Sequence, residues 1–181
     1  PYYLKPGFAF GGSCLPKDLR AMVYKARELD VEVPVLGSVL ASNRQQVERA
    51  VDMVLRTGRR NVGVLGLSFK PGTDDLRESP MVTLIEALIG KGLRLSIYDR
   101  EVELARLFGA NKEYIERGIP HISSLLMPRL DDVVDASDVI VIGKKEDEYR
   151  SLSDKLGNGR VIVDLVRMFE VTAPSPSYQG M

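Results

Sequence analysis

The sequence predicts an α/β protein in which a helical segment with a long connecting helix precedes a parallel β-sheet. Apolar residues recur at helical spacing from Pro16 to about Thr57. From Arg60 onward, short apolar runs rich in β-branched residues alternate with helical patterns. Such alternation is typical of parallel sheets covered by helices on both faces. A chain of 181 residues is long enough to bury this kind of core.

The helical segment divides into two predicted helices. Pro16 suits the first turn of the first helix, and Asp30 and Pro34 interrupt the pattern that follows. The apolar face of this helix consists of Leu19, Met22, Val23, Ala26 and Leu29. The second helix carries an apolar stripe from Leu36 to Val54, which makes it longer than the usual globular helix. We therefore expect it to connect two domains or to form a dimer contact.

The remainder of the chain carries the predicted sheet. Its four strands comprise residues 62–67, 93–98, 138–142 and 161–164. Ser79 and Pro80 supply the cap and the first-turn proline of a helix that follows the first strand. Further short helices are predicted over residues 101–108, 112–117 and 146–156. The chain is thus expected to contain a helical part (1–57), an α/β domain (58–171) and a flexible tail (172–181).

Composition and charge exclude several classes of function. Lys plus Arg and Asp plus Glu each total 25, so we expect neither nucleic-acid nor membrane binding. One cysteine and one histidine leave no disulfide, no Cys-rich zinc site and no His-based metal cluster, so no metal is expected. The chain begins at Pro1 with neither an initiator Met nor a signal-like region. We expect a cytoplasmic piece of a longer protein.

The first chemical motif is Gly-Gly-Ser-Cys-Leu-Pro-Lys-Asp at residues 11–18. Cys14 precedes the predicted helix start, where free N–H groups and the helix dipole favour a thiolate. Lys17 adds positive charge, and Asp18 on the first turn is placed to orient water or a neighbouring group. A lone cysteine is more often a buried small side chain, but the polar, glycine-rich surroundings favour a reactive thiol here.

The second motif spans residues 66–80, between the first strand and a helix N-terminus. Parallel sheets bind nucleotides at this position, where helix N–H groups and cations hold phosphates. Lys70 and Arg77 are the candidate cations, and a solvated crossover loop is the alternative interpretation. Because the G-x-G-x-x-G spacing is absent, we predict that NAD does not bind to this sheet through Asp99. The charged run at residues 144–148 is interpreted as a solvated face.

Residues 10–18 resemble the active-site signature of the nucleotide-sugar 6-dehydrogenases, the family of UDP-glucose and GDP-mannose dehydrogenases. Residues 66–70 and 73–80 resemble the second signature of that family. The sequences of residues 2–10 and 109–115 are similar to those of the family members that use GDP-mannose. GDP-mannose is therefore the expected substrate. A UDP-glucose 6-dehydrogenase and a non-catalytic nucleotide-binding module are the alternatives. The NAD-binding domain and several catalytic residues of the family would lie upstream of this sequence.

The resemblance implies a Rossmann-like sugar-nucleotide-binding domain, NAD as the cofactor, and a homodimer or higher homo-oligomer built on the long helix. It implies that Cys14, assisted by Asp18, serves an oxidation of the sugar C6 alcohol to a carboxylate, through a thiohemiacetal and a thioester. Lys17 and Arg77 match positions that contact NAD. The positions that match the substrate pocket are Tyr2, Tyr3, Lys5, Phe8, Gly11 and Lys70. The pathway implied is alginate-type exopolysaccharide synthesis in a bacterium.

Overall fold

The computed structural model describes residues 8–68, 72, 74–102, 119–150, 159–169 and 177–181. The helices are α1 (Leu15–Glu28), α2 (Pro34–Arg56), α3 (Pro80–Gly90), α4 (Pro120–Ser123), α5 (Leu130–Asp135) and α6 (Asp147–Arg150). The strands are β1 (Asn61–Leu65), β2 (Arg94–Tyr98), β3 (Val139–Ile142), β4 (Val161–Asp164) and β5 (Tyr178–Gly180). The predicted α/β architecture, with two helices ahead of a parallel sheet, is confirmed. The helix predicted at 112–117 lies outside the described residues.

All five strands run parallel, in the spatial order β2-β1-β3-β4-β5. Val62 of β1 lies opposite Leu95 of β2 on one side and Val139 of β3 on the other. The strand order therefore reverses between β1 and β3. Open parallel sheets bind ligands outside the carboxyl ends of their strands at such a switch point. The residues that directly follow β1, β2 and β3 are accordingly candidates for function.

Apolar side chains cover both faces of the sheet. On one face, α2 and α3 pack over strand residues that include Val64 and Val141. On the other face, Val133 of α5 packs with Ile140 and Ile142. Strands buried on both sides have no solvent-facing positions to fill with polar residues. This explains why the sequence shows continuous apolar runs rather than alternation.

The long helix α2 spans 23 residues, as its apolar stripe predicts. Its second half buries Val47, Ala50, Val51 and Val54 in the core beside α3. Its beginning is open, and Val35 is 75% exposed. The predicted role of this helix in a dimer contact stays a prediction.

The predicted apolar face of α1 is only partly buried. Leu19 lies in the core, whereas Met22 and Leu29 are 56% and 61% exposed. The helix begins at Leu15, so that Pro16 occupies its second position rather than its first. Exposed large apolar residues that share a helix and its flanks indicate a surface that packs against further protein.

The last residues of the chain belong to the sheet, and the flexibility expected for the tail as a whole stays a prediction. Residues 178–180 form β5, which extends the sheet beyond β4. The Tyr178 hydroxyl donates a hydrogen bond to the buried carboxylate of Asp164 at 2.7 Å, and the Met181 N–H donates to the Asp164 carbonyl at 3.0 Å. A strand partner and a buried acceptor thus hold residues 178–181. In the part of the chain that the structure describes, no helix has the length and apolar character needed to cross a membrane.

Candidate active site

Cys14 occupies the N-cap position of α1 with its side chain exposed. Its Sγ lies 3.8 Å from the hydroxyl oxygen of Ser13. The Cys14 carbonyl accepts the N–H of Asp18 at 2.9 Å, which fixes the Cys14 backbone relative to the helix. N–H groups of the first turn are free at a helix N-terminus. The thiol is therefore accessible and adjacent to backbone donors.

Lys17 and Asp18 lie on the first turn of α1, next to this thiol. Their side chains form an ion pair with a 3.4 Å separation, and both are about two-thirds exposed. Exposed ion pairs of this kind hold their partners weakly. Each side chain is consequently free to turn toward a bound molecule.

The loop before Cys14 is held in place by α2. The side-chain amide of Asn43 accepts the Phe10 N–H and donates to the Phe10 carbonyl, each at 2.9 Å. Phe8, which matches a substrate-pocket position, is 5% exposed and lies in the core beside α2. Such anchors fix the path of the backbone that leads to the thiol.

The same loop docks directly on the second motif. The Gly12 N–H donates a hydrogen bond to the Arg77 carbonyl at 3.0 Å. A Cβ added to Gly11 would lie 2.8 Å from Pro80 Cδ and would overlap the Glu78 carbonyl oxygen. Only glycine permits the two backbones to approach this closely. Two motifs separated by some sixty residues in the sequence are thus one structural unit.

Arg77 is oriented by a local carboxylate. Its guanidinium donates two hydrogen bonds to Asp75, at 2.8 and 2.9 Å, and its backbone N–H donates a third to the same side chain. The guanidinium remains more than half exposed. The segment 75–77 therefore presents a fixed cation beside the loop of Cys14.

A second ion pair joins α1 to the second motif. Arg20 donates two hydrogen bonds to the Glu78 carboxylate, at 2.8 and 2.6 Å. Hydrogen bonding from Arg20 is the largest cause that lowers the pKa of Glu78, against a smaller opposing effect of burial. Glu78 itself has a positive φ of 50°, so this contact lies at a bend that non-glycine residues rarely adopt.

We expect Arg20→Met to raise the pKa of Glu78 toward its ordinary value of about 4.3. Because the folded-state pKa is lowered, the stability that the pair contributes is present at neutral pH and lost as the pH falls through the folded-state pKa. An NMR titration of the Glu78 carboxyl measures the shift. Lys25→Met, on the same helix, is the control and should leave it unchanged. An identical Glu78 titration in Arg20→Met and the parent chain would contradict the assignment.

A buried polar cluster occupies the switch point of the sheet. Lys144, two residues beyond the end of β3, is 2% exposed, and Asp99, directly after β2, is fully buried. The Lys144 ammonium donates hydrogen bonds to Asp99 at 3.1 Å, Ser68 at 3.3 Å and Glu101 at 2.5 Å. The interpretation of residues 144–148 as a solvated face is therefore wrong for Lys144. Its position one residue beyond a glycine at the carboxyl end of a strand is the signal that could have placed it inside.

Asp99 has no free oxygen for a ribose. It accepts the N–H groups of Leu67, Ser68 and Val102 at 2.7 to 3.2 Å, in addition to the Lys144 ammonium. Burial by itself would raise the pKa of Asp99, but the Lys144 charge and the backbone donors outweigh it and lower the pKa. This arrangement agrees with the prediction that NAD does not bind to this sheet through Asp99.

A sizeable cavity lies away from both motifs. It measures about 640 Å³ and opens between α2 and the ends of β4 and β5, with Arg49, Arg56 and Arg167 in its wall. None of its lining residues belongs to either motif. The remaining predicted site residues, Tyr2, Tyr3, Lys5 and Lys70, lie outside the described part of the chain. Within that part, no group of three His, Cys, Asp or Glu side chains is arranged to hold a metal ion.

Comparisons with known proteins agree with this arrangement. Residues 63–171 match the UDP binding domain of the UDP-glucose/GDP-mannose dehydrogenase family, and residues 1–45 match its central domain. The chain is 59% identical over 165 residues to a GDP-mannose 6-dehydrogenase of Pseudomonas aeruginosa, which covers 91% of this chain and 38% of that protein. A UDP-glucose 6-dehydrogenase of the same organism is 41% identical over 103 residues, which cover 54% of this chain and 23% of that protein.

Solved structures show the same likeness. A crystal structure of a ternary complex of GDP-mannose dehydrogenase from Pseudomonas aeruginosa superposes with a TM-score of 0.95 at 56% identity, covering 99% of this chain and 41% of that one. A UDP-glucose dehydrogenase from Pyrobaculum islandicum gives a TM-score of 0.72 at 28% identity, covering 96% and 39%. The chain thus spans about two-fifths of the length of these relatives. It belongs to the UDP-glucose/GDP-mannose dehydrogenase family.

Proposed function

We propose that this chain forms the substrate-binding and nucleophile-bearing part of an NAD-dependent GDP-mannose 6-dehydrogenase, which oxidises GDP-mannose to GDP-mannuronate. The observation that carries the proposal is the docking of the Cys14 loop on residues 77–80, through the hydrogen bond between Gly12 and Arg77. This contact joins an accessible thiol to the edge of the sheet where ligands bind in parallel α/β folds. The higher identity to GDP-mannose 6-dehydrogenases than to UDP-glucose enzymes favours GDP-mannose.

The exposed cations beside the thiol fit a dinucleotide cofactor. Lys17 forms a weak surface pair, and Arg77 is oriented by Asp75 with more than half of its side chain exposed. Both are suited to contact phosphate or ribose oxygens. NAD+, when bound, accepts the hydride in each of the two oxidations.

The residues of this chain supply the covalent chemistry. After the C6 alcohol has become an aldehyde, Cys14 Sγ forms a bond to C6 and the aldehyde oxygen gains a proton, giving a thiohemiacetal. Loss of the hydride from C6 and of the hydroxyl proton converts it to a thioester. Water then attacks the carbonyl carbon, the C–S bond breaks, and the thiol regains its proton as the carboxylate leaves. Asp18, one helical turn from Cys14, assists these proton transfers.

The location, pathway and oligomeric state of the enzyme are also part of this proposal. We place the enzyme in the cytoplasm, in alginate-type exopolysaccharide synthesis, as a homodimer or higher homo-oligomer. Exposed apolar residues of α1 and of the start of α2, such as Met22, Leu29 and Val35, support an assembly that buries them.

The test uses a chimera, the completed enzyme, in which this chain is joined to the upstream part of the Pseudomonas aeruginosa relative. We expect it to convert GDP-mannose to the acid with two NADH formed per molecule, and to prefer GDP-mannose over UDP-glucose by at least about a hundredfold in kcat/KM. NADH absorbance and mass spectrometry of the product measure both. Preference for UDP-glucose would overturn the assignment of GDP-mannose as the substrate. Tight GDP-mannose binding without acid formation would instead support the alternative function, a non-catalytic nucleotide-binding module.

A further inference from the structure

The buried lysine at the switch point has no place in the proposed chemistry. The ammonium of Lys144 has three N–H donors, and Ser68, Asp99 and Glu101 take them all. Glu146 adds a fourth oxygen at 3.3 Å. A lysine so completely engaged has no donor left for a ligand. Its effect on function must therefore pass through the groups that it holds.

Those groups fix the turn that follows β1. Asp99 accepts the backbone N–H groups of Leu67 and Ser68 at 2.7 and 3.1 Å, and Lys144 supplies the positive charge that balances the buried carboxylate. Gly66 packs on the backbone of Lys144 itself, since a Cβ there would lie 3.0 Å from the Lys144 nitrogen. Gly66 also has a φ of 92°, which other residues avoid.

The same turn is tied to the candidate active site on its other side. The Ser79 hydroxyl donates to the Leu67 carbonyl at 2.8 Å and caps α3 at the Met81 N–H. Ser79 directly follows Glu78, on which Gly11 packs. An unbroken path of contacts thus leads from Lys144 through residues 66–68 to the loop of Cys14.

We propose that Lys144 is a positioning residue for sugar-nucleotide binding, which sets the course of residues 66–68 and so the start of the second motif. The inference rests on the proposed function of that motif. A buried carboxylate without its cation is strongly destabilising, so Asp99 holds the Leu67 and Ser68 N–H groups in this geometry only while Lys144 is present. The raised pKa of Lys144 agrees: burial alone would lower it, but Asp99 and Glu101 outweigh burial.

The kinetic test uses Lys144→Met in the completed enzyme, with Lys145→Met at the exposed neighbouring position as the matched control. We expect the KM for GDP-mannose to rise about tenfold or more in Lys144→Met, while kcat changes little, because misplaced binding groups weaken substrate binding rather than the chemical step. Lys144→Arg, which keeps the charge, should recover part of the loss. Lys145→Met should behave as the parent.

A second variant guards against loss of folding. Lys144→Met combined with Asp99→Asn removes the buried carboxylate that Lys144 balances, so it should fold. Its amide offers one acceptor oxygen in place of two and cannot hold the Leu67, Ser68 and Val102 N–H groups together, so the KM should stay raised. A wild-type KM in either folded variant overturns the inference.

Hydrogen exchange tests the positioning role of Lys144 independently of the proposed function. In the chain itself, the Leu67 and Ser68 amides should exchange at least about tenfold faster in Lys144→Met than in Lys145→Met, relative to amides of α3. Unchanged protection at Leu67 and Ser68 would overturn the positioning role. Faster exchange together with a completed enzyme that does not use GDP-mannose would instead leave the positioning role standing and remove the proposed function.

Discussion

Replacing Cys14 with serine in the completed enzyme is expected to abolish formation of GDP-mannuronate while GDP-mannose still binds. Serine keeps the size of the side chain but is a much weaker nucleophile than a thiolate. The rate of acid formation should fall by about a thousandfold or more, since loss of a covalent nucleophile removes most of the catalysis. The KM for GDP-mannose should change little, because Cys14 bonds to the substrate only during the reaction.

Ser13→Ala is the matched control for this variant. The Ser13 hydroxyl lies beside the thiol, with its oxygen 3.8 Å from Sγ, and its loss leaves the cysteine in place. Acid formation by Ser13→Ala should remain within the same order of magnitude as the parent. Mass spectrometry of the product tests whether Cys14 is the nucleophile. Normal GDP-mannuronate formation by Cys14→Ser would show that it is not, and the proposed covalent reaction would be wrong.

The sheet could be predicted from the sequence because burial leaves a direct pattern. Strands such as Val139–Ile142 are buried on both faces, and only apolar, mostly β-branched residues suit that environment. The N-cap Ser79 and Pro80 mark the start of α3 by local chemistry, and the structure places that helix there. Signals of this kind depend on neighbours along the chain, which is why they could be identified without a structure.

Contacts between distant segments left no such pattern. Apart from its place just after a strand, nothing near Lys144 in the sequence shows that Ser68 and Asp99, which follow two other strands, surround it. A lysine in a charged run is usually solvated, so local composition indicated the surface. The pairing of Arg20 with Glu78 was equally hidden, because the two residues meet only when the Cys14 loop docks on the second motif.

Helix α1 illustrates the opposite difficulty. Its apolar face was correctly identified as a helical stripe, yet Met22 and Leu29 are more than half exposed in this chain. Periodicity indicates which face of a helix is apolar, but not whether the surface that covers this face belongs to the same chain. The resemblance to the dehydrogenase family adds what the pattern could not, because it implies that further domains lie upstream of this sequence.

Gly11→Ala is expected to separate the Cys14 loop from the second motif. The added methyl group would meet the Glu78 carbonyl oxygen and Pro80 Cδ, which belong to the main chain and a proline ring and cannot rotate away. The loop must then retreat, and the hydrogen bond from Gly12 to Arg77 lengthens or breaks. We expect the free energy of unfolding to fall by about 1–3 kcal/mol, as for overpacked cores. The kcat/KM of the completed enzyme should fall by about a hundredfold, as for reacting groups displaced by an ångström.

Gly90→Ala makes the same chemical change where the structure leaves room. Gly90 is the exposed last residue of α3, and a Cβ there has nothing within 4 Å. Alanine is the better helix former, so this control should raise the free energy of unfolding by about 0.5–1 kcal/mol and leave activity unchanged. Urea midpoints at constant m-value measure the first effect, and NADH formation measures the second. In Gly11→Ala the pKa of Glu78 should also move toward its ordinary value, because α1, which carries Arg20, is displaced together with the loop. If Gly11→Ala instead matched the parent in midpoint, activity and Glu78 titration, the close approach of the two motifs would have no role in holding Cys14 at the sheet edge.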